Sequence, residues 1–319
     1  DQLNLNKEKV EIAASISKSD LVSGLVGEFP ELQGVMGKYF ALQQGFEEDV
    51  SHAIYEHYLP TSITSPVSKK PISYALSIID KLDTLVGFYL INEKPTSSKD
   101  PFALRRAAIG LLRTVVDNNL VIKISDLIDY STKIYLDQGV KDENNKVVKD
   151  LIFFLRERMK NILREKKIRP DVVEASISSH TNDNFLELYK KTLIMNKFIS
   201  KDLGRNALSA YKRASNILEQ EQLSSKNGPD AVLFRHEEEK ELFDRINTIR
   251  KAFTIKEDRK NYENHLKLLS EMKLSTDKFF DNVKVNDDNM DLKNNRLELL
   301  QILCTTFNSF VDFSKLEGV

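Results

Sequence analysis

Apolar side chains recur at three- and four-residue steps along most of the chain, which is the spacing of one helix face. The clearest stretches run from Pro71 to Leu90 and from Asn289 to Phe310. The same pattern predicts helices over Glu8 to Val26, Pro101 to Val116, Val147 to Lys167, Asp183 to Ile199, Arg205 to Glu221 and Glu237 to Phe253. Because convincing apolar-polar alternation over six or more residues is absent, the sequence predicts an all-α protein of about a dozen helices.

Polar, loop-forming residues interrupt this helical pattern. The stretch from Gly139 to Lys146 carries glycine, asparagine and four charged residues, which favours a loop. A length of 319 residues suits two domains of ordinary size. We therefore expect one helical domain over residues 1–140 and a second over residues 141–319.

The charge of the chain is unevenly distributed. Forty-seven basic and 48 acidic residues give a net charge of −1, which by itself argues against a polyanion partner. Residues 1–60 hold four basic and ten acidic side chains, whereas Arg156 to Arg169 holds seven basic and two acidic ones. Lys94 to Arg113 holds five basic side chains and one acidic. Such clusters attract phosphate backbones, although they also occur on solvated helix faces.

The cluster from Lys94 to Arg113 reads as a polar loop that enters a helix. Asp100 is placed to act as the N-cap, with Pro101 at the first helical position. Free backbone amides at such a start bind phosphate. The cations predicted to bind phosphate here are Lys94, Lys99, Arg105, Arg106 and Arg113.

No catalytic constellation is recognisable. His52 and His57 are five residues apart, so they do not share a helix face as a zinc-binding pair does. A phosphate-binding glycine loop, a dinucleotide fingerprint and a nucleophile elbow are all missing. Asp80 and Asp83 lie one turn apart, where acids either bind a metal or pair with cations. We therefore predict no catalytic residue and no metal site.

Two further observations bound the location of the protein. A single cysteine, Cys304, excludes an intrachain disulfide and fits a reducing compartment, so we expect the cytoplasm. No uncharged apolar run reaches about 18 residues, so we expect no membrane span. The chain begins with Asp1 and shows no targeting segment, which leads us to expect a piece of a longer protein.

Seven stretches in a fixed order carry a resemblance to one family. They are Leu21 to Tyr39, Glu56 to Pro60, Asp80 to Gly87, Lys94 to Arg106, Phe279 to Val283, Asn295 to Leu297 and Val311 to Leu316. Together they resemble the β subunit of the bacterial two-subunit glycine–tRNA ligases. The resemblance extends over the whole chain and implies the C-terminal half of that subunit.

The resemblance implies a fold as well. It predicts an HD-like helical domain followed by a helical anticodon-binding domain named for an Asp-Ala-Leu-Arg motif, here only loosely kept from Asp291 to Arg296. The HD name refers to a His-Asp metal site. In this chain Lys18-Ser19-Asp20 has no preceding histidine, and only Asp80 matches a final ligand, so the resemblance implies no metal. A metal-dependent phosphohydrolase and a protein-binding scaffold are the alternatives.

The resemblance also implies a division of labour. The α subunit of this family binds glycine and ATP and makes the adenylate, so this chain needs no cofactor of its own within an assembly of two α and two β subunits. The first half is then expected to contact the acceptor arm of glycine tRNA through the cations named above. The second half is expected to read the anticodon, because unstacked bases need aromatic or guanidinium planes. The candidates are Arg205, Asn206, Tyr211, Lys212, Arg213, Asn216, Asn295 and Arg296.

Overall fold

The computed structural model describes residues 3, 5–142, 146–179, 183–221, 228–254 and 261–318. In these ranges all regular secondary structure is helical and no strand is found, so the all-α prediction is confirmed. None of the described helices is long and apolar enough to cross a membrane. The described α-helices are α1 (Lys7–Ile16), α2 (Gly24–Glu28), α3 (Val35–Gln43), α4 (Glu48–Glu56), α5 (Pro71–Leu90), α6 (Leu104–Asp117), α7 (Ile124–Asp137), α8 (Val147–Glu165), α9 (Pro170–Ser179), α10 (Phe185–Ile199), α11 (Asp202–Gln220), α12 (Glu237–Thr254), α13 (Tyr262–Asn282) and α14 (Met290–Asn308).

The prediction of one continuous helix over Glu8 to Val26 is wrong. The chain leaves helical geometry after Ile16, forms a 3₁₀ turn at Ser19–Val22, and only then begins α2. Serine hydroxyls bond to nearby backbone groups and so compete with a continuous helix. The Ser17 hydroxyl donates to the Ala14 carbonyl at 2.9 Å. The Ser23 hydroxyl accepts from the Val26 amide at 3.2 Å and thereby caps α2.

The chain forms two compact units. The first consists of Asp1–Lys166 with Asn182–Tyr189, and the second of Lys167–Thr181 with Lys190–Val319. Helix α8, which follows the polar break at Gly139 to Lys146, groups with the first unit. The domain boundary expected at residue 140 stays a prediction, since compactness alone does not define a domain.

Helix α5 forms the centre of the first unit. It packs against α1, α4, α6, α7 and α8. A helix surrounded in this way has to be apolar on most of its sides, and Leu76, Leu85 and Val86 are each no more than 2% exposed. The predicted bounds, Pro71 to Leu90, are confirmed.

A buried lysine lies within this centre. The Lys81 ammonium is enclosed and donates to the carbonyls of His57 at 2.8 Å and Leu59 at 3.0 Å and to the Ser77 hydroxyl at 2.8 Å. A Cβ at Gly110 on α6 would lie 2.5 Å from Lys81 Cε, so only glycine leaves room for this side chain. Burial lowers the pKa of Lys81 to about 8, which leaves it mainly charged at neutral pH.

The second unit is built on α11, α12, α13 and α14. Helices α11 and α12 each pack against both α13 and α14. The turn from α10 into α11 is tight: a Cβ at Gly204 would lie 2.3 Å from the Phe198 carbonyl oxygen. The C-terminal segment returns to α9, where the Asp312 amide donates to the Ala175 carbonyl at 3.0 Å.

We expect Lys81→Met to destabilise the first unit by about 2–4 kcal/mol, because three buried acceptors lose a charged donor. Chemical denaturation followed by circular dichroism measures this change. Lys133→Met, which removes an exposed ammonium on α7, is the control and should change stability by less than about 0.5 kcal/mol. Equal stabilities of the two variants would contradict the role given to Lys81.

Candidate nucleic-acid interface

The loop before α6 occupies backbone amides at the start of that helix. The helix begins at Leu104, three residues later than predicted, because Ala103 adopts a left-handed conformation with φ of 54°. The Asp100 carboxylate accepts from the amides of Leu104 at 2.8 Å and Arg105 at 3.0 Å. The expectation that Pro101 starts the helix, with free amides ready for phosphate, is therefore wrong.

Arg113 is bound within the first unit. Its guanidinium donates to the carbonyls of Ile63 at 2.6 Å and Ser65 at 2.9 Å and pairs with Asp117 at 2.6 Å. These contacts attach the loop that precedes α5 to α6. The placement gives Arg113 a structural role and does not support a phosphate contact.

Two other predicted cations are partly engaged. The Lys94 ammonium pairs with Asp150 at 2.7 Å. The Arg105 guanidinium donates to the Thr96 carbonyl, which holds the loop against the start of α6. Each side chain keeps some exposure, so a polyanion has to compete with an existing partner at both positions.

The remaining predicted cations of the first unit are open to solvent. Lys99 in the loop and Arg106 on the first turn of α6 are both exposed. In the second basic cluster, Arg164, Lys166 and Lys167 are exposed at the C-terminal end of α8. These side chains are the ones placed to reach phosphate groups.

One face of α11 carries most of the predicted anticodon residues. Gly204, Ala207 and Leu208 are among the residues on its buried side. The predicted residues on the accessible side are Arg205, Arg213 and Asn216, which are exposed, and Asn206 and Lys212, which are half-buried. The helix therefore brings five of the eight predicted residues to surfaces that a ligand can reach.

Arg213 contacts an aromatic ring and two carboxylates of α13. Its guanidinium lies 4.7 Å over the Phe280 ring and pairs with Asp277 at 3.1 Å and Asp281 at 3.3 Å. The side chain is 41% exposed. A guanidinium stacked on an aromatic ring on one side leaves its other face for a second π-system. An unstacked base is such a system.

Tyr211 does not belong to this surface. Its side chain is 4% exposed and packs between Phe307 and Phe313, while its hydroxyl accepts from the Asn308 amide at 3.3 Å. Burial raises its pKa above the ordinary value. A ring enclosed in the core cannot stack on a base, so the expected role of Tyr211 is not supported.

Asn295 and Arg296 are also buried. The Asn295 side chain makes a pair of hydrogen bonds with the backbone of Asp230, at 2.6 and 3.0 Å. The Arg296 guanidinium is 2% exposed and donates to Glu239 at 2.9 Å and Asp287 at 2.7 Å. Both side chains hold the second unit together, so their placement does not support base reading.

Glu239 extends this network to the start of α12. Its other carboxylate oxygen accepts from the amides of Arg235 at 2.7 Å and His236 at 2.8 Å. Burial opposes ionisation of Glu239, but the hydrogen bonds from Arg296 and these amides outweigh it and hold its pKa below the ordinary value. Glu239 was not identified from the sequence, because its arginine partner lies 57 positions away.

A lysine lies between Asp80, the one residue that matches a ligand of a His-Asp metal site, and the neighbouring His57. The Lys18 ammonium lies 2.7 Å from Asp80 Oδ1 and 3.3 Å from His57 Nε2. Burial lowers the pKa of His57 to about 4, so the neutral ring accepts from Lys18. Among the described residues no group of three His, Cys, Asp or Glu could hold a metal ion. In this cluster the Lys18 ammonium balances the negative charge of the Asp80 carboxylate.

Asp20, the acid expected to mark the HD motif, has a structural partner. Its carboxylate accepts from the amides of Gly34 at 2.6 Å and Gly37 at 3.1 Å. The side chain is buried against the start of α3. Asp20 thus fixes the 3₁₀ turn that contains it to the start of α3.

These features define an all-α protein of two compact units with exposed cations on its helices. Its sequence matches the family model described as glycyl-tRNA synthetase beta subunit over residues 1–178. It also matches the model described as DALR anticodon binding domain over residues 207–313. The chain therefore belongs to the glycyl-tRNA synthetase beta subunit family, as the resemblance predicted.

Curated relatives agree with this assignment. The glycine–tRNA ligase beta subunit of Cereibacter sphaeroides is 36% identical over 310 residues, which cover 96% of this chain and 44% of the relative. Those of Rickettsia africae and Rickettsia canadensis are 37% and 38% identical and cover 98% of this chain and 45% of each relative. The chain spans less than half the length of these curated relatives.

We expect Arg296→Met to destabilise the second unit by about 3–5 kcal/mol at about pH 7, since Glu239 is left buried without its cation. The contribution of a carboxylate with a depressed pKa is present above its unfolded pKa and is lost as the pH falls through the folded value. The difference in the free energy of unfolding between the parent and Arg296→Met should therefore narrow as the pH falls below the ordinary pKa of a glutamate. Urea denaturation at several pH values measures it.

Arg213→Met is the matched control for this prediction, because it removes an exposed arginine that also pairs with two aspartates. It should cost less than about 1 kcal/mol, as surface ion pairs do. A difference in the free energy of unfolding between the parent and Arg296→Met that stays constant with pH would contradict the ion-pair network.

Proposed function

We propose that this chain is the tRNA-binding part of the beta subunit of a two-subunit glycine–tRNA ligase. It would position glycine tRNA for aminoacylation by an α subunit that binds glycine and ATP, in a cytoplasmic assembly of two α and two β subunits. The observation that carries the proposal is the match to an anticodon binding domain over residues 207–313, a range that includes Arg213 and Asn216 on the exposed face of α11.

The first unit would contact the acceptor arm through phosphate groups. Lys99 in the loop and Arg106 on the first turn of α6 are exposed cations of this surface. Contacts of this kind set the position and register of a nucleic acid but carry no sequence information directly. The exposed cations at the end of α8 would add to the same electrostatic attraction.

The second unit would contribute base recognition. Arg213 offers a guanidinium plane supported by Phe280, and Asn216 lies three residues further on the same face. A plane and a neighbouring amide are the chemistry that reads unstacked bases in RNA loops. This combination favours an anticodon loop over a duplex as the ligand of α11.

A phosphohydrolase of the HD class is less well supported. Such an enzyme requires histidine ligands around a metal, and here the Lys18 ammonium pairs with Asp80 beside a neutral His57. A scaffold that binds only protein would need no exposed cation face. Binding of RNA by the chain separates this second alternative from the proposal.

We expect the chain to bind glycine tRNA more tightly than the same tRNA with a changed anticodon. Each base that is no longer recognised should cost about 1–3 kcal/mol, which is about fivefold to 150-fold in affinity. Filter binding at fixed salt measures the two affinities. Equal affinities for both tRNAs would leave only backbone contact and would overturn anticodon reading.

We expect Lys99→Ala/Arg106→Ala to weaken binding equally for both tRNAs, because phosphate contacts are independent of sequence. The slope of log affinity against log salt should decrease by about 0.9 for each phosphate that the variant no longer neutralises. Lys7→Ala/Lys133→Ala removes two exposed lysines of α1 and α7 and is the control of equal charge. An unchanged slope in the first variant would exclude this surface from the interface.

A further inference from the structure

A small pocket lies between α10, α11 and α13 in the second unit. Its volume is about 190 Å³. Phe198 and Leu266 form a buried apolar floor, while Leu203, 46% exposed, stands at the opening. Pockets that hold a whole small-molecule ligand measure about 300–1,000 Å³. This one is therefore suited to a single ring-sized group of a larger ligand.

Three lysines surround the opening. Lys197 comes from the last turn of α10, Lys201 from the residue before α11, and Lys267 from α13, and all three are exposed. Among the described residues that line the pocket, Glu263 is the acidic one. Three ammonium groups against one carboxylate give the rim a positive charge, which attracts anions.

An apolar slot with a cationic rim is suited to a flat ring joined to negatively charged groups. A nucleotide of RNA has this chemistry, since each base has an apolar face and a phosphate on either side. Glu263 adds an acceptor at the rim, which suits an exocyclic amino group on the edge of a base. A protein partner of mixed charge would gain little from three lysines in one place.

We propose that this pocket takes one unstacked base of the bound RNA, with its lysines contacting the adjoining phosphates. The inference rests on the proposed function, because it assigns a further contact to the same ligand. Arg213 lies ten residues along α11 from Leu203, roughly 15 Å along the helix axis. The pocket is thus a second base position, separate from the Arg213 plane.

The lysines are inconspicuous in the sequence. They come from three elements, and Lys267 is 66 positions after Lys201. Charge runs reveal cations that are neighbours in the chain, whereas this rim is assembled by helix packing.

Two variants test the proposal in the complete chain with glycine tRNA. Lys197→Ala/Lys267→Ala should lower the slope of log affinity against log salt by about 0.7 for each phosphate contact on a single strand. Lys240→Ala/Lys284→Ala removes two exposed lysines away from the pocket and should leave the slope unchanged. Equal slopes for these two variants would overturn the contact with phosphate.

The variant Ile194→Trp fills the pocket without changing any charge, since Ile194 is part of its lining. It should weaken binding about tenfold, as the loss of one stacked base does, at an unchanged salt slope. Thermal unfolding should show that the variant is folded. Full affinity in a folded Ile194→Trp variant would overturn the base site, and a protein side chain would then be the better occupant. The proposed function fails separately, if the unmodified chain does not bind tRNA.

Discussion

Burial of a positive charge is the constraint on which both units of this protein depend. A cation removed from water loses several kcal/mol of hydration unless a full set of acceptors replaces the water. Lys81 finds three such acceptors in the first unit, and Arg296 finds two carboxylates in the second. Because the acceptors come from different elements, the helices have to meet in one arrangement for the charge to be tolerated.

This constraint divides the cations of the chain into two groups. Arg113 and Arg296 have their guanidinium donors taken by carbonyls and carboxylates of their own unit. Lys99 and Arg106 lie on the surface, where water rather than protein solvates them. A count of charges along the sequence treats the two groups alike, although only the second can exchange water for phosphate. The overall charge of −1 therefore says little about the affinity for RNA.

The sequence predicted the fold well where burial follows a helical period. Helix α5 has its predicted bounds because its apolar residues surround the helix and a proline begins it. The stretch from Glu8 to Val26 shows the same period but is divided by serines, whose hydroxyls satisfy backbone groups locally. A helical period indicates where apolar side chains lie. It does not indicate where a serine hydroxyl competes for the hydrogen bonds of the backbone.

The candidate site was predicted less completely, and Tyr211 shows why. Aromatic rings serve equally in a core and in a base-binding surface, so residue type does not decide between the two. On α11 the decision comes from the packing of α13 and α14, which covers Tyr211 and leaves Arg213 outside. Asp277, Asp281 and the Phe280 ring then restrain the Arg213 guanidinium before any ligand arrives. A restrained side chain loses less conformational entropy on binding than a free one. For a subunit proposed to position a substrate rather than transform it, a binding surface that is restrained before the ligand arrives is the property that matters most.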